Sequence, residues 1–233
     1  MEQWYLYKKK ADFTKIGEKF QIDPVIARLI RNRDVIGDEE IHKYLYGNLS
    51  DISDPFLMKG VREGVDIIRE KIRDRKTIRI ISDYDVDGVV SNYILWKAIY
   101  DLGGMIDFQI PDRMKDGYGI NENIIEKAVE DQIDTILTCD NGIAASEAIR
   151  FGKEHGLTMI ITDHHDVPFI LNEDGSKEEI LPPADVVINP KQKECKYPYP
   201  LLCGAGVAFQ FVRALYKSMG EDENKLEDLL SML

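Results

Sequence analysis

Cysteine and histidine are scarce in this chain, which has three cysteines and four histidines among 233 residues. No two cysteines stand in a Cys-x-x-Cys spacing, so the sequence carries no zinc-finger pattern. An odd cysteine count in a chain of this kind also argues against a disulfide framework. We interpret Cys139, which lies in an apolar stretch, as a buried structural thiol.

Long apolar runs are absent as well. No stretch approaches the roughly 20 apolar residues that a transmembrane helix needs, and the sequence from Met1 to Tyr5 has no apolar core of a secretory signal. The hydrophobic fraction of 44% and the charged fraction of 31% are typical of a soluble globular protein. We expect a cytoplasmic protein with no membrane partner.

The sequence also lacks the common signatures of covalent hydrolases. It has no Gly-x-Ser-x-Gly elbow and no pattern that pairs a cysteine nucleophile with a histidine. The glycine-rich segment from Cys203 to Ala208 has neither the Lys-Ser/Thr ending of a P-loop nor the third glycine of a dinucleotide fingerprint. These absences leave metal-activated water as the economical nucleophile for hydrolysis.

Acidic residues outnumber basic ones, and the formal net charge is −12. Residues 1–80 carry a net charge of +3, whereas residues 81–233 carry −15. A basic surface is typical of nucleic-acid-binding proteins, so the overall charge does not by itself indicate such a partner. A domain rich in carboxylates attracts divalent cations, which reverse the local field, although solubility alone accounts for most surface acids.

The spacing of apolar residues predicts two regions. Residues 1–60 form a small helical N-terminal segment, with helices that begin at Pro24 and Asp38. In residues 61–233, β-branched runs alternate with segments of helical spacing, which predicts an α/β domain: a mainly parallel five-stranded sheet with helices on both faces. A helix over 58–74 leads into this domain. The predicted strands are 78–81, 106–110, 135–138, 158–162 and 185–188, and the predicted helices are 89–100, 122–130, 144–154 and 206–218.

Three aspartates, Asp83, Asp85 and Asp87, follow the first predicted strand at alternate positions. Carboxylates this close repel one another and take up protons unless a cation keeps them charged. A helix cap by Asp87 explains only one of the three acids. The pattern also matches the start of a calcium-binding EF-hand loop, but its twelfth position is Ile94 instead of glutamate. We therefore interpret the run as metal-binding.

Ligand-type side chains follow two further predicted strands. Asp140 follows the third strand, and Asp163, His164 and His165 follow the fourth. A capping aspartate and a pair of surface histidines are the ordinary alternatives. Because the carboxyl ends of parallel strands meet at one edge of a sheet, we expect these side chains to converge with the three aspartates. Together they suit one or two divalent cations that activate water for phosphoryl displacement.

Two segments are candidates for holding a phosphate group. Arg113 lies in the loop after the second predicted strand, where its guanidinium can bind phosphate bidentately; an exposed loop arginine is the alternative. Gly204 and Gly206 open the last predicted helix, whose free N–H groups can form an anion site. Close packing of that helix on the sheet is the alternative explanation for the glycines.

The order of these motifs resembles the DHH phosphoesterase superfamily. The segments Asp83-Tyr84-Asp85-Val86-Asp87-Gly88, Asp140-Asn141-Gly142 and Asp163-His164-His165 are similar to its first three motifs. Two further segments, Ile110–Asn121 and Ile188–Phe209, are similar to the RecJ family of single-stranded-DNA-specific exonucleases within that superfamily. The five linked motifs make the resemblance specific.

The resemblance implies a catalytic domain that binds Mn²⁺ or Mg²⁺ as one or two ions. It implies that Asp85, Asp87, Asp140 and His164 are ligands and that His165 lies beside the scissile phosphate. His165, Asp87 and Asp140 are therefore the catalytic candidates, and Asp83 either supports the ligands or adds one. The implied activity is 5′→3′ exonuclease cleavage of single-stranded DNA in DNA repair and recombination.

The resemblance also implies segments that follow Leu233. These are a further aspartate motif and a C-terminal DHHA1-type domain that helps to hold the strand, both expected in the full-length protein. Without them, we expect weak or no cleavage by this chain alone.

Two alternative functions stay open on the sequence. The first is a phosphodiesterase for small substrates such as oligoribonucleotides or cyclic dinucleotides, whose members usually carry a histidine four residues before the second aspartate. Ile81 occupies that position here, which counts against this alternative. The second is a nucleic-acid-binding scaffold without turnover. Loss of the motif acids would favour a scaffold, whereas the acids before residue 170 are all present.

Overall fold

A computed structural model describes residues 3, 9–114 and 119–233 of the chain. The chain divides into two compact units, residues 1–52 and residues 53–233. The sequence predicted a division at residue 60, and the helix that leads into the second unit begins at Val61. None of the helices in the described part of the chain combines the length and the apolar character that crossing a bilayer requires.

The first unit is helical. It contains α1 (Phe13–Phe20), α2 (Pro24–Asn32) and α3 (Asp38–Tyr46), and its buried core consists of Phe20, Ile30 and Ile41. The side chains of Asp12 and Asp23 cap the first two helices by accepting hydrogen bonds from backbone N–H groups. The predicted helices at Pro24 and Asp38 are present, and α1 is an additional one that we did not predict.

The second unit alternates strands and helices, as the sequence predicted. Residues 169–171 and 177–179 form an antiparallel hairpin in a stretch for which we predicted no strand. The elements are α4 (Val61–Arg73), β1 (Thr77–Ser82), α5 (Val86–Asp101), β2 (Met105–Gln109), α6 (Glu122–Glu130), β3 (Thr135–Cys139), α7 (Ser146–Glu154), β4 (Thr158–Thr162), β5 (Phe169–Leu171), β6 (Lys177–Glu179), β7 (Val186–Ile188), α8 (Gly204–Met219) and α9 (Glu227–Leu230).

The main sheet has five strands in the order β2-β1-β3-β4-β7, and every neighbouring pair is parallel. One face carries Ile81, Ile136 and Ile161, which pack with α6 and α7 in a single apolar cluster. Residues at the alternate positions, such as Ile80 and Ile160, are fully buried on the opposite face. There α5 and α8 pack against each other and against the strands. The predicted α/β fold is confirmed.

Charged side chains hold together the edge of the sheet where the strands begin. Lys71 on α4 donates a hydrogen bond to the carboxylate of Asp134, and its Nζ lies 2.8 Å from Oγ1 of Thr158. Burial tends to raise the pKa of Asp134, but the hydrogen bonds from Lys71 and Thr135 and the charges of Lys71 and Lys76 together lower it. This ion pair lies at the opposite end of the strands from the predicted site.

Candidate metal centre

The predicted site begins as a row of four polar residues at the carboxyl edge of the sheet. The last residues of β1, β3 and β4 are in register, since Ser82 pairs with Cys139 and Cys139 pairs with Thr162, and Thr162 in turn pairs with Ile188 of β7. The next residue on each strand is therefore placed side by side with its neighbours. The row comprises Asp83, Asp140, Asp163 and Asn189, all at most 2% exposed.

The loop from β1 to α5 carries the three alternate aspartates in three different environments. Asp83 is buried, and its Oδ1 accepts a hydrogen bond from the N–H of Tyr84 at 2.7 Å. Asp85 is exposed and caps α5, because its Oδ1 accepts from the N–H of Gly88 at 3.0 Å. A Cβ at Gly88 would lie 2.3 Å from the carbonyl oxygen of Asp83, so only glycine permits this tight turn. The residue that caps the helix is thus Asp85, whereas we had considered Asp87 for that role.

Asp87 bonds to the start of a different helix. Its two carboxylate oxygens accept hydrogen bonds from the N–H groups of Gly204 and Ala205 of α8, both at 2.7 Å. A carboxylate at this position is favoured by the helix dipole as well as by the hydrogen bonds. The same Asp87 Oδ2 lies 3.4 Å from Nε2 of His164, which brings it to the edge of the predicted metal site.

The glycines at the start of α8 serve close packing in this structure. A Cβ at Gly204 would lie 2.6 Å from Oδ1 of Asp140, so a side chain there would displace that carboxylate. The N–H of Gly204 is taken by Asp87, and the N–H of Gly206 points to Sγ of Cys203 at 3.4 Å. Phosphate binding by Gly204 and Gly206 stays a prediction, and it would require these N–H groups to change partners.

Asp140 occupies the centre of the site in an unusual backbone conformation. Its φ is +57°, in the left-handed region that non-glycine residues seldom adopt. Oδ1 of Asp140 is buried and makes no hydrogen bond of good geometry, although Nε2 of His164 lies 3.0 Å away. Burial raises the pKa of Asp140, and the nearby charges of Asp87 and Asp85 add to that effect. A cation would remove this electrostatic penalty.

The two adjacent histidines have separate carboxylate partners. Nδ1 of His165 lies 2.7 Å from Oδ1 of the buried Asp163, and this hydrogen bond raises the pKa of His165 to about 8. His164 faces Asp140, whose carboxylate, 3.0 Å from Nε2, raises the pKa of that imidazole. Burial acts to raise the pKa of Asp163, but hydrogen bonds from His165 and from the N–H of Ile143 outweigh it and lower the pKa. Each of the two imidazole rings is thus held by a carboxylate of its own.

Two overlapping groups of side chains have the geometry to hold a metal ion. Ligand atoms of Asp83, Asp85 and Asp140 lie within 4.8 Å of one another, and so do those of Asp140, His164 and His165. The mixed carboxylate and imidazole donors suit Mn²⁺ or Mg²⁺, and the imidazoles favour the former. The orphaned Oδ1 belongs to Asp140, the residue that both groups share, so the residues fit a divalent cation.

Arg113, the predicted phosphate ligand, lies beside the first aspartate loop. Its guanidinium carbon is 5.6 Å from the centre of the ring of Tyr84, which stands between Asp83 and Asp85 in the sequence. Arg113 is exposed, so its guanidinium stays accessible to a ligand. This contact places a cation at the rim of an otherwise acidic site.

Sequence reasoning did not assign roles to two residues that organise the site. Asp163 accepts hydrogen bonds from the N–H groups of His164 and His165 as well as from the His165 ring. Nδ2 of Asn189 donates to the carbonyl of His165 at 2.9 Å. For Asn189, the position directly after a predicted strand is a signal that we could have used, because the other site residues share it.

Comparison with known proteins agrees with this geometry. Residues 77–233 match the model of the DHH family, N-terminal domain. The chain belongs to the DHH family. The matched DHH region begins at the first residue of β1 and includes every residue of the candidate site.

Several DHH proteins similar to this chain carry the same name. Single-stranded-DNA-specific exonuclease RecJ of Bacillus subtilis (strain 168) is 37% identical over 231 residues, which are 99% of this chain and 28% of that protein. The crystal structure of an exonuclease RecJ bound to manganese is 32% identical, with a TM-score of 0.59, over 71% of this chain and 39% of that one. RecJ from Thermus thermophilus in complex with Mn²⁺ is 25% identical, with a TM-score of 0.59, over 90% of this chain and 28% of that one.

These matches confirm the resemblance to the RecJ-type DHH proteins that the sequence indicated. The chain spans between 28% and 39% of the length of these three relatives.

Proposed function

We propose that the rim formed by β1, β3 and β4 is the catalytic centre of a metal-dependent exonuclease that cleaves single-stranded DNA in the 5′→3′ direction, in DNA repair and recombination. The observation that carries the proposal is the convergence of Asp85, Asp140 and His164, which are far apart in the chain, on groups of ligand atoms within 4.8 Å. The RecJ relatives, named as single-stranded-DNA-specific exonucleases, support the substrate class. The polarity rests on the family resemblance.

The ligands we propose are Asp85, Asp87, Asp140 and His164, with Asp83 as a support or a further ligand. Because Asp140 belongs to both groups of ligand atoms, the arrangement accommodates one ion or two. When bound, Mn²⁺ or Mg²⁺ supplies positive charge that polarises the phosphate and lowers the pKa of a water molecule. Oδ2 of Asp87, which accepts a hydrogen bond from the first turn of α8, already lies 3.4 Å from Nε2 of His164 and would contact the metal from this position.

His165 would act on the phosphate itself. Asp163 accepts a hydrogen bond from Nδ1 of His165 and so fixes the ring orientation, which leaves Nε2 as the nitrogen that can donate a proton to a phosphate oxygen or to the departing oxygen. The His165 side chain is 44% exposed, so a substrate can reach it. Arg113, above Tyr84, would bind a phosphate at the opposite side of the site.

The family resemblance implies a DHHA1-type domain, and we propose that this domain is part of the full-length protein. That domain would add contacts to the strand beyond those of this chain. The net negative charge of residues 81–233 is consistent with a metal site. Because this charge repels the phosphates of a DNA strand, strand binding would depend more strongly on Arg113 and on bound cations.

Metal binding is tested first. Mg²⁺ is titrated calorimetrically into the unaltered chain, into Asp140→Asn and into Asp134→Asn, whose carboxylate lies at the opposite edge of the sheet. We expect Asp140→Asn to weaken Mg²⁺ binding by at least about tenfold and Asp134→Asn to leave it unchanged. Equal Mg²⁺ affinity in all three proteins would contradict the proposed site.

Cleavage by the full-length protein is then measured with Mn²⁺ on single-stranded DNA labelled at either end, on the matching duplex and on a cyclic dinucleotide. We expect the 5′ label of the single strand to be released first, as a mononucleotide. Preferential hydrolysis of the cyclic dinucleotide would indicate the small-substrate alternative. Metal binding together with strand binding, but with no cleavage of any substrate by the full-length protein, would indicate a scaffold.

A further inference from the structure

The loop that connects β7 to α8, residues 189–203, has both of its ends at the catalytic rim. Its first residue, Asn189, belongs to the row of buried polar residues and donates a hydrogen bond to the carbonyl of His165 at 2.9 Å. The N–H of Gly204, the residue directly after the loop, donates to Asp87 at 2.7 Å. The β7–α8 loop therefore leaves the catalytic rim and returns to it.

Positive charge is concentrated in the β7–α8 loop, although residues 81–233 as a whole carry a net charge of −15. The loop has three lysines against a single acid: Lys191, Lys193, Lys196 and Glu194. Solubility accounts for lysines that are scattered over a surface. These three instead lie close together in one loop next to the metal centre, which is the charge that an anionic ligand requires.

The acids near the β7–α8 loop are already paired with cations. Nζ of Lys59 lies 3.1 Å from Oε2 of Glu194, and Nζ of Lys191 lies 2.9 Å from Oδ1 of the exposed Asp166. The other two lysines of the loop are exposed, and their ammonium groups form no ion pair with any residue that the structure describes. These two groups are available to a ligand.

Two buried side chains fix the backbone of the β7–α8 loop. Gln192 is 4% exposed, and its Nε2 donates to the carbonyls of Val187 and Asn189 at 3.1 and 3.2 Å. Tyr197 is 6% exposed, and its hydroxyl accepts a hydrogen bond from Nε2 of Gln210 on α8 at 2.8 Å. The lysines between and beside these two anchors are therefore presented from a defined backbone.

An exposed aromatic ring follows the lysines. Tyr199 is 55% exposed and stands between Pro198 and Pro200. Proline restricts its own φ and favours an extended conformation in the residue before it. The ring of Tyr199 is thus held at the surface by a stiff segment, so that a contact with a ligand would cost little conformational entropy.

A single-stranded nucleic acid fits these groups better than an acidic peptide does. Both ligands would bind the lysines, whereas the bases of a single strand would also stack on an exposed tyrosine ring. The bases of a duplex are stacked on one another and offer no free face to the ring. The position of the β7–α8 loop beside the proposed cleavage site favours the nucleic acid further.

We propose that the β7–α8 loop is a second contact for the DNA strand, in which Lys193 and Lys196 bind phosphates near the one at the metal centre and Tyr199 stacks on a base. The inference rests on the proposed function, because it takes single-stranded DNA to be the substrate. Arg113 lies beside the loop that follows β1, and β3 and β4 separate β1 from β7 in the sheet. The strand would therefore be held on both sides of the metal centre.

The lysines are tested by the salt dependence of binding. Fluorescence anisotropy follows the binding of a fluorescein-labelled oligothymidylate to the 233-residue chain in EDTA, which prevents metal-dependent cleavage. We expect the double variant Lys193→Gln, Lys196→Gln to bind at least about tenfold more weakly at low salt. The slope of log affinity against log salt should fall by about 1.4, because each lost phosphate contact contributes about 0.7. Lys127→Gln, at an exposed position of α6, is the matched control and should change neither quantity.

The tyrosine is tested by a pair of substitutions. Tyr199→Ala should weaken binding of the oligothymidylate at least about fivefold, and it should leave the salt dependence unchanged because the ring carries no charge. Tyr199→Phe keeps the ring and should bind as the unaltered chain does. Binding of a duplex should be the same for Tyr199→Ala and the unaltered chain. A merely structural tyrosine would not separate single strand from duplex in this way.

The outcomes distinguish this inference from the proposed function. An unaltered chain that does not bind the oligothymidylate at low salt, or loop variants that bind it as tightly as the unaltered chain, would overturn the inference and leave the proposed function standing. Equal competition by oligoglutamate, with no effect of Tyr199→Ala, would indicate an acidic protein partner and would also overturn it. Weaker binding by the loop variants, together with no cleavage of DNA by the full-length protein, would support the loop as a strand contact and overturn the proposed exonuclease.

Discussion

The carboxylate of Asp87 accepts a hydrogen bond from the backbone N–H of Gly204 at 2.7 Å, across 117 positions of the sequence. The bond joins the first turn of α5 to the first turn of α8. Both helices pack on the same face of the sheet, and Asp87 also approaches His164 at the metal site. One side chain thus serves the fold and the candidate site.

Asp87→Ala should destabilise the protein even without metal. The change removes the acceptor for two backbone N–H groups at the start of α8, a loss comparable to that of a helix cap, about 1–2 kcal/mol. Urea unfolding in the presence of EDTA measures this difference. Glu126→Ala, at an exposed position of α6, is the control and should change the free energy of unfolding by less than about 0.5 kcal/mol. Equal stability of the two variants would contradict the structural role of Asp87.

Gly204→Ala should disturb the metal site through Asp140. The added Cβ would lie 2.6 Å from Oδ1 and 2.7 Å from Cβ of Asp140, so the carboxylate must move. Overpacking of this kind costs about 1–3 kcal/mol, and we expect it to weaken Mg²⁺ binding as well. Gly206→Ala is the matched control, because its new Cβ would come no closer than 3.2 Å, to the side chain of Leu202. Calorimetric Mg²⁺ titration of both variants checks the prediction, and equal affinities would refute it.

Asp163→Asn should weaken catalysis without removing a proposed ligand. Asp163 holds the ring of His165 and the backbone of both histidines, so its loss frees the rings to rotate. Replacing residues that orient ligands in this way typically costs about 10–100-fold in metal affinity or activity. Asp166→Asn, at an exposed carboxylate, should have a much smaller effect. Cleavage rates of the full-length protein at saturating Mn²⁺ distinguish the two variants.

The ion pair between Lys71 and Asp134 predicts a pH dependence of stability. The pKa of Asp134 is lowered in the folded protein, so its contribution is complete above the ordinary carboxyl pKa of about 4 and is lost as the pH falls through the lower folded value. Urea unfolding tests this pH dependence. It is measured for the unaltered chain and for Asp134→Asn between neutral pH and about pH 2.5. The difference in stability should be largest at neutral pH and should shrink below about pH 4. A difference that does not depend on pH would contradict the assignment.

The sequence by itself determined the order of the five strands of the main sheet and of the helices between them. Runs such as Ile80–Ile81 and Ile160–Ile161 are buried on both sides of the sheet, and a buried strand needs continuous apolar residues. Helix α6 has the predicted bounds, and β4 has them too. The position of the acids and histidines after strand ends also followed from the sequence, because parallel topology places those ends at one edge.

The hairpin of β5 and β6 was missed for a physical reason. Phe169, Ile170 and Leu171 are all exposed although all three are apolar. The strand therefore lacks the alternation of apolar and polar residues that would have indicated it. Only the hydrogen bonds to the neighbouring strand define it. Helix α1, in the first unit, is short as well, and we did not recognise its Asp12 cap in the sequence.

Only the tertiary structure decided which partner each site residue has. The sequence could not separate the cap at Asp85 from the contact of Asp87 with α8, nor reveal that Asp163 holds His165. It also could not distinguish the bonded amide of Asn189 from the unpartnered amide of Asn141. Periodic burial is encoded locally, because it depends on the repeat of the element itself. Hydrogen-bond partners distant in the chain depend on how finished elements pack, and that packing is set by the whole fold.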